Sequence, residues 1–198
     1  MIKRLLFIFI TLFFALPGKS QDSLFAFPNK NEGYFFIFQL GYNKGAGKIK
    51  LTETTSTRNN GYMVSARATV GYFVEPSISL GLSFGLDGYH DPSFNLFPAT
   101  LNFKYYLKPE GKTVFMNADI GYSLKLSQSF KSGAATDLSV GYRINSGKKV
   151  NVLLGTGINF QHIENANSFI YNIQTGSFEY VQSSFWLTSI AFNVGFLF

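Results

Sequence analysis

The side chains in this sequence that could do chemistry are mainly charged and amide groups that share one depth in segments of alternating polarity. In each segment, the residue five positions from the end at the short turns is expected to lie at the same depth. That level holds Gln39, Arg67, Asp119, Asp137 and Asn193, with Lys104 just below it. If the segments line a narrow barrel, the interior is only wide enough for side chains, so two cations would meet two carboxylates. Two interpretations stay open: a hydrogen-bonded polar plug, or a gated pore for small solutes.

Residues suited to enzyme chemistry are scarce. The chain has no cysteine and two histidines, which excludes disulfides, thiolate zinc sites and cysteine nucleophiles. His90 precedes Asp91, and His162 lies near Glu164 and Ser168; such residues could in principle form a hydrolase acting on lipid acyl chains. Their spacing matches no catalytic motif. We therefore expect no enzyme activity and no bound metal or cofactor.

The first twenty residues have the pattern of a secretory signal peptide. Lys3 and Arg4 precede an apolar run at 5–16, and the small residues Gly18 and Ser20 follow it. Such a run is too short for a helix that spans a membrane. The pattern predicts cleavage before residue 21 and export from the cytoplasm.

Cleavage of the predicted signal peptide defines the remaining segments of the chain and lowers its net charge. We expect a signal peptide at 1–20, a short periplasmic segment at 21–32 and one domain at 33–198. Loss of the three leader cations lowers the formal net charge from +6 to +3. The remaining cations are scattered, and an exported protein does not meet nucleic acid, so we expect no nucleic-acid partner.

The rest of the sequence is dominated by period-two alternation, which predicts β-strands and no helix. The chain is 18% aromatic and 14% charged, against a typical charged share of about 25%. This composition excludes a disordered chain. The eight predicted strands are 34–42, 62–72, 78–87, 97–106, 114–122, 134–143, 150–161 and 186–198. An even number of antiparallel strands is typical of a closed up-and-down barrel.

The polarity of these strands predicts a barrel in a membrane. One face of each strand is continuously apolar, whereas the other carries the glycines and the polar or charged residues. A soluble barrel of the lipocalin type has the opposite arrangement, and a soluble protein with this apolar band outside would aggregate. Short turns at one rim and long loops at the other are also typical of outer-membrane barrels. We therefore predict an all-β, eight-stranded antiparallel transmembrane β-barrel in the outer membrane.

Aromatic residues near the strand ends predict two girdles at the membrane surfaces, because a phenol or indole ring prefers a site with one wet edge. The predicted girdle at the short-turn rim is Tyr34, Tyr72, Tyr105 and Tyr142. The predicted girdle at the long-loop rim is Tyr42, Tyr62, Tyr89, Tyr122 and Trp186.

The leader, the eight amphipathic strands and the ending Phe192-Asn193-Val194-Gly195-Phe196-Leu197-Phe198 resemble the small outer-membrane β-barrel families of the OmpA and OmpX type, including porin-family barrels. The resemblance covers about residues 33–198. It implies that the barrel assembly machinery reads the last strand through Phe198 and its alternating partners Phe196, Val194 and Phe192. It implies no particular activity.

Two of the long loops offer candidate contacts outside the membrane. The first carries Lys44, Lys48, Lys50 and Arg58, which could pair with phosphates of outer-membrane lipid; the alternative is a solvated loop. The fourth carries Phe169, Tyr171, Phe178 and Tyr180 around Gln174-Thr175-Gly176-Ser177, which predicts a hairpin that could contact an extracellular partner. We expect a non-enzymatic structural or surface-interaction role; the alternative is a narrow pore for ions or very small solutes.

Overall fold

A computed structural model describes residues 31–50, 56–90, 93–126, 133–145, 150–172 and 177–198. The predicted signal peptide and most of the predicted periplasmic segment lie outside these residues. In the described part of the chain, no helix is long and apolar enough to cross a membrane.

Eight long strands form a closed antiparallel barrel, which confirms the predicted fold class. They are β1 (Gly33–Ala46), β4 (Tyr62–Glu75), β5 (Ile78–His90), β6 (Phe94–Tyr106), β7 (Thr113–Lys125), β8 (Gly133–Asn145), β9 (Asn151–Asn172) and β10 (Ser177–Leu197). Each strand pairs with its neighbours in the chain, and β1 closes the barrel against β10. Two short strands between β1 and β4, β2 (Lys48–Lys50) and β3 (Ser56–Arg58), form a small separate sheet.

The closing seam joins the first and last strands of the barrel through backbone hydrogen bonds. The N–H of Phe36 donates to the carbonyl of Phe198 at 3.2 Å, and the N–H of Phe198 donates to the carbonyl of Phe36 at 2.9 Å. Their rings lie 6.1 Å apart on the outer face. Phe192 and Val194 are exposed on the same face of β10, and Phe196 is partly exposed.

The outer surface is an apolar belt, as the inverted polarity predicts. Large apolar side chains on all eight wall strands are exposed, among them Leu82 at 51% and Leu101 at 66%. Most of the inward residues that alternate with them are buried. Since the backbone donors and acceptors of the wall are paired around a closed ring, the barrel presents no open sheet edge to its surroundings along the belt.

The structure contradicts the predicted aromatic girdles at one position. Eight of the nine predicted rings are exposed: Tyr34, Tyr42, Tyr62, Tyr72, Tyr105, Tyr122, Tyr142 and Trp186. The prediction for Tyr89 is wrong, because this residue is 9% exposed and stacks on Phe94 inside the barrel, with ring centroids 4.3 Å apart. Asp87 points inward, and a strand returns to the same face after two residues. His90 takes the outward position instead and lies 4.8 Å from the ring of Tyr62.

The last long connection is a β-hairpin, as predicted, and it doubles the length of two wall strands. β9 and β10 pair from the barrel wall up to Asn172 and Ser177, with a register shift between Ser183 and Phe185. The pairing of β9 with β8 covers only residues 151–161 of β9, and that of β10 with β1 only residues 188–197 of β10. About ten residues of each strand therefore extend past the neighbouring strands, or roughly 30 Å at the usual strand rise.

An arginine in the middle of the apolar belt should destabilise the barrel if the belt faces hydrocarbon. For Leu82→Arg we expect a loss of about 2 to 4 kcal/mol in the free energy of unfolding, measured by urea titration of the lipid-reconstituted protein. The matched control is Leu107→Arg, which places the same side chain just past the end of β6 and should cost about 0 to 1 kcal/mol. Equal costs at the two positions would contradict a membrane-facing belt.

Candidate functional site

The barrel interior is built in three layers, with polar groups in the middle and an apolar cluster at each end. The cluster at the short-turn end contains Phe35, Ile37, Phe73, Tyr106, Phe115, Leu153 and Leu197. The cluster at the long-loop end contains Ile49, Met63, Tyr89, Phe94, Leu96, Ile163, Phe185 and Leu187. The charged residues predicted from the sequence lie between these clusters, so the candidate site is this polar layer.

Arg67 forms an ion pair with Asp87 across β4 and β5. Its Nη2 atom lies 3.3 Å from Oδ2 of Asp87, and the two side chains are 8% and 1% exposed. Asp87 is opposite Ser65 in the register, whereas Gly85 is opposite Arg67. A Cβ atom at Gly85 would meet Cγ of Arg67 at 2.6 Å, so the glycine makes room for the arginine to reach along the wall to the carboxylate.

Lys104 reaches the carboxylate layer through two amides. Its Nζ donates to Oδ1 of Asn117 at 2.6 Å and to Oδ1 of Asn102 at 3.1 Å. Asn102 and Asn117 in turn donate to the carboxylate of Asp119, each at 2.8 Å, and Thr100 donates at 3.3 Å. Within the described residues no ion pair joins Lys104 directly to a carboxylate. The two amides therefore link Lys104 to the carboxylate of Asp119.

Asp137 lies in the same layer but is less completely bonded. The register places it opposite Asp119 on one side and Asn159 on the other. Its Oδ1 atom, Oδ1 of Asn159 and Nε of Arg67 are buried without a hydrogen-bond partner in the described protein. These atoms are the points at which water or a small ion would contact the layer.

The two predicted amides at this level stand on the seam between β10, β1 and β4. Gln39 is opposite Arg67 and Gly195, and Asn193 is opposite Gly41. A Cβ atom at Gly41 would collide with Oγ of Ser65 and lie 2.5 Å from Oδ1 of Asn193. The glycines on this seam thus leave space that the polar side chains occupy.

The short-turn end is closed by a second arginine, Arg143, which is fully buried. Its Nε donates to the carbonyl of Gly111 at 2.8 Å, its Nη1 donates to Oδ1 of Asn31, and its guanidinium lies 5.0 Å from the ring centroid of Tyr106. Asn31 also donates to the carbonyl of Pro76 at 2.6 Å. Asn31, two residues before β1, and Arg143 therefore tie two of the short turns to the interior.

Comparison with known proteins supports the fold. No protein-family model matches the chain, and no curated protein sequence matches it significantly. The crystal structure of Neisserial surface protein A (NspA), an outer-membrane barrel, matches with a TM-score of 0.54 and 12% sequence identity over 84% of this chain and 98% of NspA. This chain has the fold of a small eight-stranded outer-membrane β-barrel. The crystal structure of the outer membrane protein OprG from Pseudomonas aeruginosa matches more weakly, with a TM-score of 0.46 and 11% identity over 87% of this chain and 99% of OprG.

The two histidines lie on different parts of the barrel wall. His90 ends β5 and packs on Tyr62, whereas His162 lies on β9, 4.8 Å from the ring of Trp186 and 3.7 Å from Oε1 of Glu164. Among the described residues no group of three or more His, Asp or Glu side chains is placed to hold a metal ion.

The predicted charge layer leaves out two charged residues of the barrel interior. Asp87 and Arg143 both fall on the inward face of their strands, so the alternation alone placed them inside. Asp87 lies one inward position nearer the long loops than Gly85, which is opposite Arg67, and Arg143 is near the short turns. A search for every inward charge, without regard to depth, would have found both.

Removing one charge from the buried pair should cost more than removing an exposed charge. We expect Arg67→Ala and Asp87→Ala each to lower the free energy of unfolding in urea by about 3 to 5 kcal/mol, because the remaining charge is buried without its partner. The double variant should cost less than the sum of the two. Arg58→Ala, at an exposed position, is the control and should change stability by about 0.5 kcal/mol or less.

The same Arg67→Ala preparation distinguishes a plug from a pore. A hydrated lumen would screen the lost charge, so the variant would keep its stability and shift bilayer ion selectivity toward cations. We expect the opposite result: a large loss of stability, with negligible single-channel conductance for the wild-type protein. A stable variant with an altered reversal potential would contradict the plug.

Proposed function

We propose that the protein is an integral outer-membrane protein without enzymatic activity, whose role is structural support or surface contact through its extracellular loops. The observation that carries the proposal is the filling of the lumen. An arginine–aspartate pair and a lysine–amide–aspartate network lie between two apolar clusters. Such a filled interior stabilises a wall and leaves function to the parts outside the membrane.

The extended β9–β10 hairpin supports a surface-contact role. Both of its strands continue past the wall. At its base, Ile163, Phe185 and Leu187 pack into the apolar cluster at the long-loop end. This packing anchors the base of the hairpin to the barrel interior. A two-stranded ribbon that extends past the barrel wall offers backbone and side-chain groups of two strands to a partner.

A narrow pore is the second candidate, and one observation favours it. The polar layer contains buried atoms of Arg67, Asp87, Asp137 and Asn159 without a protein partner in the described residues. Water at these atoms could connect into a path for ions. The conductance measurement described above decides between the two candidates.

The proposed location and orientation predict which connections a probe can reach on intact cells. An epitope inserted after Thr175, between β9 and β10, should be accessible to antibody, and the protein should fractionate with the outer membrane. The same epitope after Gly147, between β8 and β9, is the matched control and should become accessible only after the membrane is opened. The reverse labelling pattern would overturn the orientation.

The proposed biogenesis depends on the last residue. Phe198 closes the seam with two backbone hydrogen bonds to Phe36, and the sequence resemblance implies that the barrel assembly machinery reads it. We propose that deletion of Phe198 slows assembly in cells and lowers the fraction that migrates as folded barrel on an unboiled gel. Phe198→Tyr keeps the ring and both backbone bonds and should assemble normally. If the deletion assembles at the wild-type rate, Phe198 is not part of the signal.

A further inference from the structure

Along the outward face of β1, the types of residue change in the same order as the layers of a lipid leaflet. Phe38, Leu40 and Tyr42 are exposed in succession, and Lys44 follows on the same face. At the usual strand rise, Lys44 stands about 7 Å beyond Tyr42. Apolar groups, an interfacial ring and then a cation match hydrocarbon, interface and headgroup in turn.

Three further cations share one exposed face just past this point. In the small β2–β3 sheet, Lys48 is opposite Arg58 and Lys50 is opposite Ser56. Lys48, Lys50 and Arg58 are all exposed, while Ile49 between them faces the other way and is 6% exposed. Together with Lys44 they form a patch of four cations, which we call the cationic platform.

The platform is electrostatically unfavourable as it stands. Like charges directly opposite each other across two strands destabilise a sheet, and Lys48 faces Arg58. No ion pair joins Lys48, Lys50 or Arg58 to a carboxylate within the described residues. The only acid in the sequence between positions 44 and 58 is Glu53, which lies outside those residues. An anion that contacts the platform would relieve this repulsion.

The platform is also held in place on the barrel. Ile49 anchors β2 in the apolar cluster at the long-loop end. The N–H of Asn59 donates to the carbonyl of Gly47 at 3.0 Å, and its side chain donates to the carbonyl of Thr188 on β10 at 2.8 Å. Gly47 adopts a φ of 76°, which glycine tolerates and other residues rarely adopt. These contacts fix the backbone that presents Lys48 and Arg58.

Lys44 is oriented by the same turn. Its Nζ donates to the carbonyl of Asn60 at 2.6 Å, which leaves further N–H donors of the ammonium group for another acceptor. The N–H of Gly45 donates to the carbonyl of Gly61 at 2.8 Å. A cation restrained beside the interfacial rings loses less side-chain freedom when it binds an anion.

We infer that the cationic platform of Lys44, Lys48, Lys50 and Arg58 binds the phosphate groups of a multiply phosphorylated lipid of the outer leaflet. Lysine and arginine make short charge-assisted hydrogen bonds to phosphate, and arginine can do so with two N–H groups. The acyl chains would lie along the apolar belt below the girdle. This inference rests on the proposed outer-membrane location, because only there does such a lipid lie beside the platform.

Lipid binding to the full mature protein in neutral detergent tests the inference. The probe is a bisphosphorylated, acylated glucosamine disaccharide, and its dephosphorylated counterpart is the comparison. The double variant Lys48→Gln/Arg58→Gln should bind the bisphosphorylated probe about 30-fold more weakly, at roughly 1 kcal/mol for each cation near an anionic surface. The dephosphorylated compound should bind both proteins equally weakly.

The control variant removes two cations from the opposite rim. Lys108→Gln/Lys112→Gln changes exposed residues in the turn between β6 and β7 and should bind the probe within about twofold of wild type if charge acts only locally. The charge-keeping variant Lys48→Arg/Arg58→Lys should also retain binding. Migration as folded barrel on an unboiled gel establishes that each variant is folded.

Several outcomes would overturn the inference. Equal binding by wild type and Lys48→Gln/Arg58→Gln, or equal binding of the two compounds, would remove the platform as a phosphate site. Tighter, platform-dependent binding of a soluble acidic polysaccharide would assign it to an extracellular polyanion, and full competition by millimolar inorganic phosphate would show that the acyl chains contribute nothing. Fractionation outside the outer membrane would refute the proposed location and leave these binding results unchanged.

Discussion

The structure depends on the satisfaction of backbone hydrogen bonds around a closed ring. A membrane offers no water to an unpaired N–H or C=O group, so a β-structure that crosses it must have no open edge. In this chain the ring is closed by the pairing of β1 with β10, down to the mutual bonds of Phe36 and Phe198. The outward apolar belt and the inward polar layer are both consequences of that closure, because alternate residues of every strand then face either lipid or lumen.

Closure with eight strands also decides what the interior can contain. A barrel of this size is wide enough for side chains and little else, so the inward residues must fit one another in volume as well as in charge. Large and small residues alternate for this reason. Phe35 lies opposite Gly71, and Phe115 lies opposite Gly141, and in both pairs a Cβ atom on the glycine would collide with the end of the phenylalanine ring. The same rule lets Arg67 lie over Gly85.

The charged residues of the polar layer are buried, whereas the described charged residues of the loops are exposed. The buried pair of Arg67 and Asp87 joins neighbouring strands, and the amides between Lys104 and Asp119 join two more. Buried pairs of this kind add little net stability over apolar packing, but loss of one partner is costly. At the long-loop rim, in contrast, the four cations of the platform point away from the interior and the β9–β10 hairpin extends past the neighbouring strands. The proposed surface-contact role requires both features: a filled, rigid interior and exposed groups at the long-loop rim.

The sequence by itself determined the number of wall strands, the face that each presents and the outward direction of eight of the nine predicted girdle rings, because period-two alternation is a local property of the chain. It also placed Gln39, Arg67, Asp119, Asp137 and Asn193 inside, with Lys104 near them. Tyr89 was assigned to the wrong face of β5. Counting in steps of two from the inward residue Asp87 places it inside. Local patterns could not show which inward charges meet.

Those contacts belong to the tertiary structure because they depend on register between strands that are far apart in the sequence. Asn31 bonds to Arg143, and Asn59 bonds to the wall at Thr188, across 112 and 129 residues of chain. The partner of Arg67 proved to be Asp87, one side-chain step along the neighbouring strand, since Gly85 leaves the space for that reach. Alternation fixes the face of each residue, whereas only closure of the barrel sets the height and the neighbours of each side chain, and thereby decides which charges are paired.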